Sequence, residues 1–151
     1  MEIDRPAFGE ELRTDGEETV PRQAATIILL RGGAETLEVL LVQRTPKARF
    51  MGGVWVFPGG AVDAGEGEGD AAHRAAALRE LEEEAGIRLD DPGALVPFSR
   101  WITPAEVKIR FDTWFFLAHA RGREIHPVQP RVFRRGESAR IVLPGEPGYD
   151  D

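Results

Sequence analysis

The order of apolar and polar positions along the chain predicts several strands around one helix. Two β-branched or leucine-rich segments, Ala24–Leu30 and Leu37–Val42, flank a turn at Gly32-Gly33 and predict a pair of strands. Thr45–Gly53 then forms a basic loop, after which the apolar run Val54–Phe57 predicts a short buried strand. The first third of the chain is therefore expected to be mostly extended.

A glycine-rich connection separates that strand from the predicted helix. Pro58-Gly59-Gly60 ends the strand, so we expect a sharp turn there. From Asp70, a good N-cap residue, a run rich in Ala, Leu, Glu and Arg predicts a helix that continues to about Ala85. Gly86 follows, and glycine most easily adopts the left-handed conformation that ends a helix.

Strands are predicted again beyond the helix. Leu95–Ile102 and Phe111–Ala120 have strand patterns joined by a Thr103-Pro104 turn, and Arg131–Phe133 with Ile141–Leu143 predict a terminal hairpin. Strands on both sides of one amphipathic helix indicate the α/β class, with a mixed sheet and helical cover.

Length and composition favour one domain. The 151 residues with 42% hydrophobic content suffice for a single core, which we place at residues 23–151. Residues 1–22 are acidic and predict a partly disordered lead-in that could settle onto the domain only through Ile3, Phe8 and Leu12.

Charge and residue usage exclude several functions. A formal charge of −7 offers no basic surface for long nucleic acid. Without cysteine there is neither a disulfide nor a thiol nucleophile, so a metal would have oxygen or imidazole ligands. The acidic N-terminus has no signal pattern and no apolar run is long enough for a membrane span, so a cytoplasmic protein is the simplest expectation.

The predicted helix carries a cluster of acids. Glu80, Glu83 and Glu84 stand at positions i, i+3 and i+4 and project from one face. Such crowding of like charges is unfavourable unless a cation sits among them, and Mg²⁺ prefers oxygen ligands of this kind. A solvated Glu-rich face is the alternative. The glycine-rich turn Phe57–Gly60 favours the metal site, because bare backbone there can approach a ligand closely.

These residues resemble the Nudix box. Its second half, Arg-Glu-apolar-x-Glu-Glu-x-Gly-apolar, matches at every fixed position from Arg79 to Ile87. In its first half, Gly60 and Glu66 have the family's spacing, but twelve residues instead of seven separate Glu66 from Arg79. We favour a five-residue insertion over the alternative register with Gly65 and Ala71, because a longer loop costs little free energy.

The resemblance implies an α/β/α sandwich and a site. In it the Gly59 carbonyl, Glu80, Glu83 and Glu84 would coordinate one to three Mg²⁺ ions, with Mn²⁺ as the alternative metal, to hydrolyse a diphosphate linkage. Glu80, Glu83 and Glu84 would then be catalytic together with Arg79, which would orient a carboxylate through an i, i+4 pair with Glu83. The general base would be an acid of this cluster or one from a distant loop; the candidates there are Glu106, Asp112 and Glu124.

The preceding segment resembles the coenzyme A diphosphatase branch. The matching positions are Leu40, Leu41, Arg44, Thr45, Arg49, Gly53, Phe57 to Gly60 and Asp63. This likeness makes Arg44, Arg49, Phe57 and Gly60 candidate substrate-binding residues, and the cations Arg44, Lys47 and Arg49 would suit a substrate with a further phosphate. A solubilising basic loop is the alternative interpretation of those cations.

Other substrates and roles stay open. ADP-ribose, NADH and dinucleoside polyphosphates are alternative substrates, and a catalytically idle nucleotide-sensing domain is the alternative function. Trp55, Trp101 or Trp114 could stack an adenine, although a strand Trp is more often core. The histidines His73, His119 and His126 lack ligand spacing and are expected to be surface or strand residues.

The C-terminal region predicts an incomplete helical cover. Nudix proteins usually place a second helix after the strand expected at Phe111–Ala120, but the remaining residues are rich in Pro, Gly and Arg. One sheet face is therefore expected to be bare, and a homodimer could cover it.

Overall fold

The computed structural model describes residues 16–33, 37–47 and 52–120, together with the backbone of 139–141. The larger sheet has five strands: β1 (Arg22–Gly32), β2 (Leu37–Val39), β5 (Gly59–Ala61), β6 (Val96–Ile102) and β7 (Phe111–His119). Their order is β2-β1-β7-β6, and β5 also pairs with β1. Three form the smaller sheet, in the order β4-β3-β8: β3 (Val42–Arg44), β4 (Trp55–Val56) and β8 (Ala139–Ile141).

The larger sheet is mixed. β1 and β7 run parallel in unbroken register from Arg22 opposite Phe111 to Leu30 opposite His119, whereas the other pairs are antiparallel. A parallel pair needs a long crossover, and here the helix and β6 lie within it. The α/β class with a mixed sheet is therefore confirmed.

The core lies between one face of this sheet and the helix α1 (Gly69–Ala85). Alternate residues of the paired central strands point to the helix, among them Ile27, Leu29 and Phe116. They pack against the helix's apolar stripe, which includes Leu81 and Ala85, and all five residues are at most 1% exposed. This packing fixes which face of α1 turns toward solvent.

The ends of α1 agree with the prediction within one residue. Gly86 adopts φ +66° and its N–H donates to the Glu82 carbonyl at 2.9 Å. The N-cap prediction was wrong, because Glu68 holds that position and Asp70 lies in the first turn, where it accepts a hydrogen bond from Arg74 at 2.6 Å. Two short 3₁₀ turns, Ala64–Glu66 and Pro92–Ala94, flank the helix.

Three strand predictions need correction. The segment Leu37–Val42 is not one strand, because the chain leaves β1 after Val39 and enters the smaller sheet at Val42. Gly59 and Gly60 were predicted to form a sharp turn, but they belong to strand β5, which pairs with β1. The last strand begins at Ala139 instead of Ile141 and pairs with β3; its expected hairpin partner, Arg131–Phe133, lies outside the described residues.

The opposite face of the larger sheet, here called the far face, is apolar. Its central residues Ile28, Leu30, Phe115 and Leu117 are half-buried. Within the described residues no helix lies on this face; the second helical layer of the expected sandwich is therefore absent from this part of the chain. None of the described helices has the length and apolar character needed to cross a membrane.

Candidate active site between the glycine strand and the acidic helix

Strand β5 lies close to the acidic side of α1 because two of its three residues are glycines. A methyl group at Gly60 would overlap the Glu80 carboxylate, and one at Gly59 would lie 2.7 Å from the Ala25 carbonyl oxygen. The Gly59 N–H donates to Glu84 Oε2 at 3.2 Å. The missing side chains thus let backbone and carboxylates meet directly.

Arg79 organises the acids around it. Its side chain is 20% exposed, and its Nη1 donates to Glu80 Oε1 at 2.7 Å and to Glu83 Oε2 at 3.1 Å. The expected i, i+4 contact with Glu83 is therefore present, but it is one of several. Arg79 Nη2 donates to the Ala61 carbonyl at 2.9 Å, which ties the helix to β5.

Glu66 also reaches this arginine. Arg79 Nε donates to Glu66 Oε1 at 2.7 Å, and the Asp63 N–H donates to Glu66 Oε2 at 2.7 Å. The register with Gly60 and Glu66 is thus the one that the fold brings together, since Ala71, the alternative to Glu66, is exposed on the helix. Between Glu66 and the helix, Gly67 with φ +87° and Gly69 with φ +68° adopt backbone conformations that favour glycine.

The surroundings of Glu84 favour its neutral form. Burial and then the neighbouring charge of Glu80 raise its pKa to about 7, although the Gly59 N–H and the charge of Arg44 oppose the rise. A carboxylate that titrates near neutral pH beside two other glutamates marks a place where a cation is stabilising.

The donor set fits Mg²⁺ in its chemistry. Glu80, Glu83 and Glu84 offer only oxygen, and the half-buried Glu84 accepts a hydrogen bond from the Gly59 N–H. Among the described residues, no three acids or histidines already converge on one point, because Arg79 holds Glu80 and Glu83. The proposed metal ligands are therefore adjacent on the helix, and two of them, Glu80 and Glu83, bind Arg79.

The candidate substrate residues lie on the β3 side of this cluster. Arg44 ends β3 near enough for its charge to lower the pKa of Glu84. Phe57 is half-buried between β4 and β5, and Lys47 is exposed in the following turn. Arg49 lies outside the described residues.

Asp112 and Glu106 are the distant general-base candidates within the described residues, and no contact described there joins either of them to the acidic cluster. Asp112 is 5% exposed, accepts two hydrogen bonds of 2.7 Å from Arg100 and one of 3.1 Å from Gln23. Those bonds, with Arg100 the strongest, lower its pKa. Asp112 is thus engaged in a structural network. Glu106 is exposed in the turn before β7, and Glu124 lies outside the described residues.

His73 was missed. It was expected on the surface or in a strand, but it lies in α1 with 7% exposure. Its Nδ1 lies 2.7 Å from the Gly69 carbonyl oxygen and its Nε2 lies 2.8 Å from Gln23 Oε1. Its spacing from the apolar Ala76 and Ala77 was the available signal. His119 is exposed in β7, as expected, whereas His126 lies outside the described residues.

The tryptophans differ in exposure. Trp101 is 70% exposed on β6, whereas Trp55 and Trp114 are half-buried. Trp114 lies under Arg100 and beside His73, so it belongs to the Asp112 network. None of these contacts joins a tryptophan to the acidic cluster.

The described site thus places a glycine strand against an acidic helix whose carboxylates bind Arg79, on a mixed sheet of the α/β class. The NUDIX domain model matches residues 20–144. The chain belongs to the NUDIX hydrolase family. This membership supports a pyrophosphohydrolase activity.

Similar proteins and solved structures also belong to this family. An uncharacterized Nudix hydrolase NudL from Citrobacter koseri is 33% identical over 153 residues, which cover 87% of this chain and 76% of that protein. A putative nudix hydrolase 7 from Caenorhabditis elegans is 44% identical over 66 residues, but these cover only 44% of this chain and 22% of the worm protein. The crystal structure of a NUDIX hydrolase from Alicyclobacillus acidocaldarius superposes with a TM-score of 0.65 at 26% identity, covering 82% and 79% of the two chains.

Proposed function

We propose that this protein is a Mg²⁺-dependent hydrolase that cleaves the diphosphate linkage of a nucleoside diphosphate derivative, with coenzyme A or its acyl derivatives as the substrate. The observation that carries the proposal is the half-buried Glu84 beside the Gly59 amide. Burial, followed by the negative charge of Glu80, raises the pKa of Glu84 to about 7. Mn²⁺ is the alternative metal.

Each residue of the cluster then has a role. Glu80, Glu83, Glu84 and the Gly59 carbonyl would hold the metal, which supplies neutralisation of the diphosphate oxygens and a more acidic bound water. Arg79 orients Glu80 and Glu83, and its bond to the Ala61 carbonyl keeps β5 at a fixed distance from α1. Gly60 leaves room for the Glu80 carboxylate and for the approaching diphosphate.

The substrate assignment rests on cations near that cluster. Arg44 is close enough to act on Glu84 electrostatically, and Lys47 is exposed in the adjoining turn. With Arg49 they would bind a phosphate beyond the cleaved pair, and coenzyme A carries one on its ribose.

Product analysis with Mg²⁺ tests the chemistry. We would incubate the protein with coenzyme A, ADP-ribose, NADH and diadenosine polyphosphates and identify the products by mass. We expect 3′,5′-ADP and phosphopantetheine from coenzyme A, with loss of both in Glu83→Gln and Glu84→Gln and with chelator. Glu82→Gln is the matched control, because Glu82 is exposed on the same helix. No cleavage of any compound would overturn the proposal.

Dephospho-coenzyme A tests the substrate separately, because it lacks only the ribose phosphate. We expect its KM to exceed that of coenzyme A, and we expect Arg44→Gln to raise KM for coenzyme A more than for the dephospho compound. Equal values would discard the coenzyme A assignment but keep the diphosphate hydrolysis. Faster cleavage of ADP-ribose, NADH or a dinucleoside polyphosphate would assign that compound instead.

A further inference from the structure

His73 lies in a chain of three hydrogen bonds that joins α1 to two strands of the larger sheet. Its Nδ1 lies 2.7 Å from the Gly69 carbonyl oxygen, and its Nε2 lies 2.8 Å from Gln23 Oε1. The third bond runs from Gln23 Nε2 to Asp112 Oδ2 at 3.1 Å. Because His73 is buried, water has little access to replace a bond that the ring loses.

The Asp112 carboxylate fixes the orientation of the Gln23 side-chain amide. Two hydrogen bonds of 2.7 Å from Arg100 hold the pKa of Asp112 below its ordinary value, so this carboxylate is an ionised acceptor. The Gln23 NH2 group therefore points to Asp112 and its side-chain oxygen points to His73. Reversing the amide would put an oxygen against the carboxylate and lose that bond. Any acceptor at this position would orient the amide in the same way.

Both ring nitrogens of His73 therefore face oxygen atoms that only accept hydrogen bonds. An imidazolium ring donates from both nitrogens, so it can form the bonds to Gly69 and Gln23 while Gln23 keeps its bond to Asp112. Either neutral tautomer has a single ring N–H and can take part in an arrangement with two of the three bonds at most. The complete chain of bonds thus requires the protonated ring.

The charged groups around the ring do not decide its state by themselves. β7 contributes Asp112, which favours a charged ring, and β6 contributes Arg100, which opposes it. On α1, Asp70 and Arg74 bind each other at 2.6 Å, and on β1 the neighbouring cation Arg22 is exposed. The hydrogen-bond geometry is therefore the main reason for a protonated ring.

The same two residues close the loop that carries Glu66. This loop, here called the Glu66 loop, begins at Val62 and ends at Gly69, the first residue of α1. At one end the Val62 N–H donates to the Gln23 carbonyl at 2.8 Å, and at the other end Gly69 contacts His73. The bond between Gln23 and His73 joins the two ends. The pair therefore forms a clamp at the base of the loop.

We propose that His73 is a positioning residue whose protonated ring clamps the Glu66 loop and thereby holds Arg79 among the acids of α1. Glu66 Oε1 accepts a hydrogen bond from Arg79 Nε at 2.7 Å. The same arginine binds Glu80 and Glu83. The clamp is complete at lower pH, and it loses one bond as pH rises and the ring gives up a proton. Its effect on activity rests on the proposed hydrolysis, whereas the protonation of the ring does not.

Nitrogen-15 NMR of the imidazole rings tests the protonation without an assay of activity. The chain has three histidines, so His73→Gln and His119→Gln assign the two signals that are needed. We expect both ring nitrogens of His73 to keep hydrogen up to a higher pH in the unmodified protein than in Gln23→Leu. The reason is that this change removes the acceptor of Nε2, and Gln23 is exposed at the start of β1, so the core should stay intact.

The His119 ring is the internal control for this comparison. It is exposed on β7 and contacts the Gly32 carbonyl through one nitrogen, so it should titrate alike in both proteins. A His73 ring that is neutral wherever the protein is folded would overturn the proposal, as would a ring that titrates alike with and without the Gln23 side chain.

The pH profile of kcat tests the effect on the proposed reaction. We expect His73→Gln to lower kcat by about tenfold at the lower end of the pH range, with a smaller change in KM, because the clamp orients ligands instead of contacting substrate. The difference should shrink as pH rises, since the neutral ring of the unmodified protein has also lost a bond. His119→Gln is the matched control and should keep the unmodified profile. A difference that does not vary with pH would give His73 a purely structural role.

Amide hydrogen exchange keeps the clamp testable if the proposed function fails. If the unmodified protein cleaves no diphosphate compound, exchange of the Val62 N–H still reports on the base of the loop. We expect it to be faster in His73→Gln than in His119→Gln. The Val107 N–H, which donates to the Pro104 carbonyl at 3.1 Å, should exchange equally in both. Equal exchange at Val62 would show that His73 does not clamp the loop.

Discussion

Two carboxylates on the helix side of the larger sheet have opposite surroundings. Asp112 on β7 receives two hydrogen bonds from Arg100 and one from Gln23, and these lower its pKa. Glu84 on α1 accepts a hydrogen bond from the Gly59 N–H at 3.2 Å, and burial followed by the charge of Glu80 raises its pKa to about 7. Arg100 binds the first carboxylate directly, whereas at the second the effects of burial and of the Glu80 charge exceed that of the Arg44 charge.

The difference separates a structural acid, Asp112, from Glu84, the acid proposed to bind a metal. A buried carboxylate with good partners contributes to stability, whereas one without them destabilises the empty protein until a ligand arrives. Arg79 shows that the fold could balance acids near Glu84, because it binds Glu66, Glu80 and Glu83. The carboxylate with the raised pKa therefore lies at the place where a cation is proposed.

Glu84→Gln is expected to have the largest effect on activity. We expect kcat to fall by roughly 1000-fold, because the change removes a proposed ligand or base. Stability without metal should rise or stay the same, since a buried like charge disappears. Activity assays and thermal unfolding in chelator check both, with Glu82→Gln as control. A clear loss of stability would make Glu84 structural and end the contrast with Asp112.

Arg79→Gln is expected to lower both activity and stability. The change removes the guanidinium that binds Glu66 and Glu80, each 13% exposed, so repulsion between the acids should increase. We expect kcat to fall roughly 100-fold, as for other residues that orient metal ligands. Arg88→Gln, at a side chain that is 73% exposed, is the control. Full activity in the Arg79 variant would show that the acids do not need this arginine.

Gly60→Ala is expected to lower activity by steric overlap with a proposed metal ligand. The new methyl group would overlap the Glu80 carboxylate, so kcat should fall by about tenfold or more as that ligand moves. Gly65→Ala is the matched control, because a methyl group there meets nothing within 4 Å. Equal activity of the two variants would show that Glu80 can shift without consequence.

Asp112→Asn is expected to lower stability and leave activity unchanged, the reverse of the result expected for Glu84→Gln. Loss of the ionised carboxylate weakens the two charge-assisted hydrogen bonds from Arg100, which should lower the free energy of unfolding. Activity per folded molecule should not change. Denaturant unfolding and kcat measure the two effects, and a selective loss of kcat at unchanged stability would return Asp112 to the candidate bases.

Local pattern was enough to predict most of the acidic site. The 3.6-residue period placed Glu80, Glu83 and Glu84 on one face, and the glycines predicted a close backbone approach, which the Gly59 bond to Glu84 shows. The spacing of Glu66 was anomalous in the sequence alone. Its contact with Arg79 depends on how the Gly67 loop folds, which no local pattern specifies.

Long-range pairing accounts for what was not predicted. Gln23 and Asp112 are 89 positions apart, and their bond requires β1 and β7 to be neighbours in a defined register. The buried position of His73 follows from the same pairing, since Gln23 is its partner. The division of Leu37–Val42 between two sheets is also a tertiary effect, because an apolar run fits either sheet.

The smallest expected effect is an opposite pH dependence of stability in the two carboxylates. Asp112 has a folded pKa below its ordinary 3.8, so its contribution is present above that pH and is lost as pH falls through the folded pKa. Glu84 in the metal-free protein has a folded pKa of about 7 against an ordinary 4.5, so its contribution is present below 4.5 and is lost as pH rises to about 7. In chelator, the melting temperature of the unmodified protein minus that of Glu84→Gln should therefore fall across this interval. Saturating Mg²⁺ should reduce that fall, because the metal favours the ionised carboxylate only in the folded protein. A difference that stays flat in chelator would show that the Glu84 charge is already balanced, and the contrast between the two carboxylates would then fail.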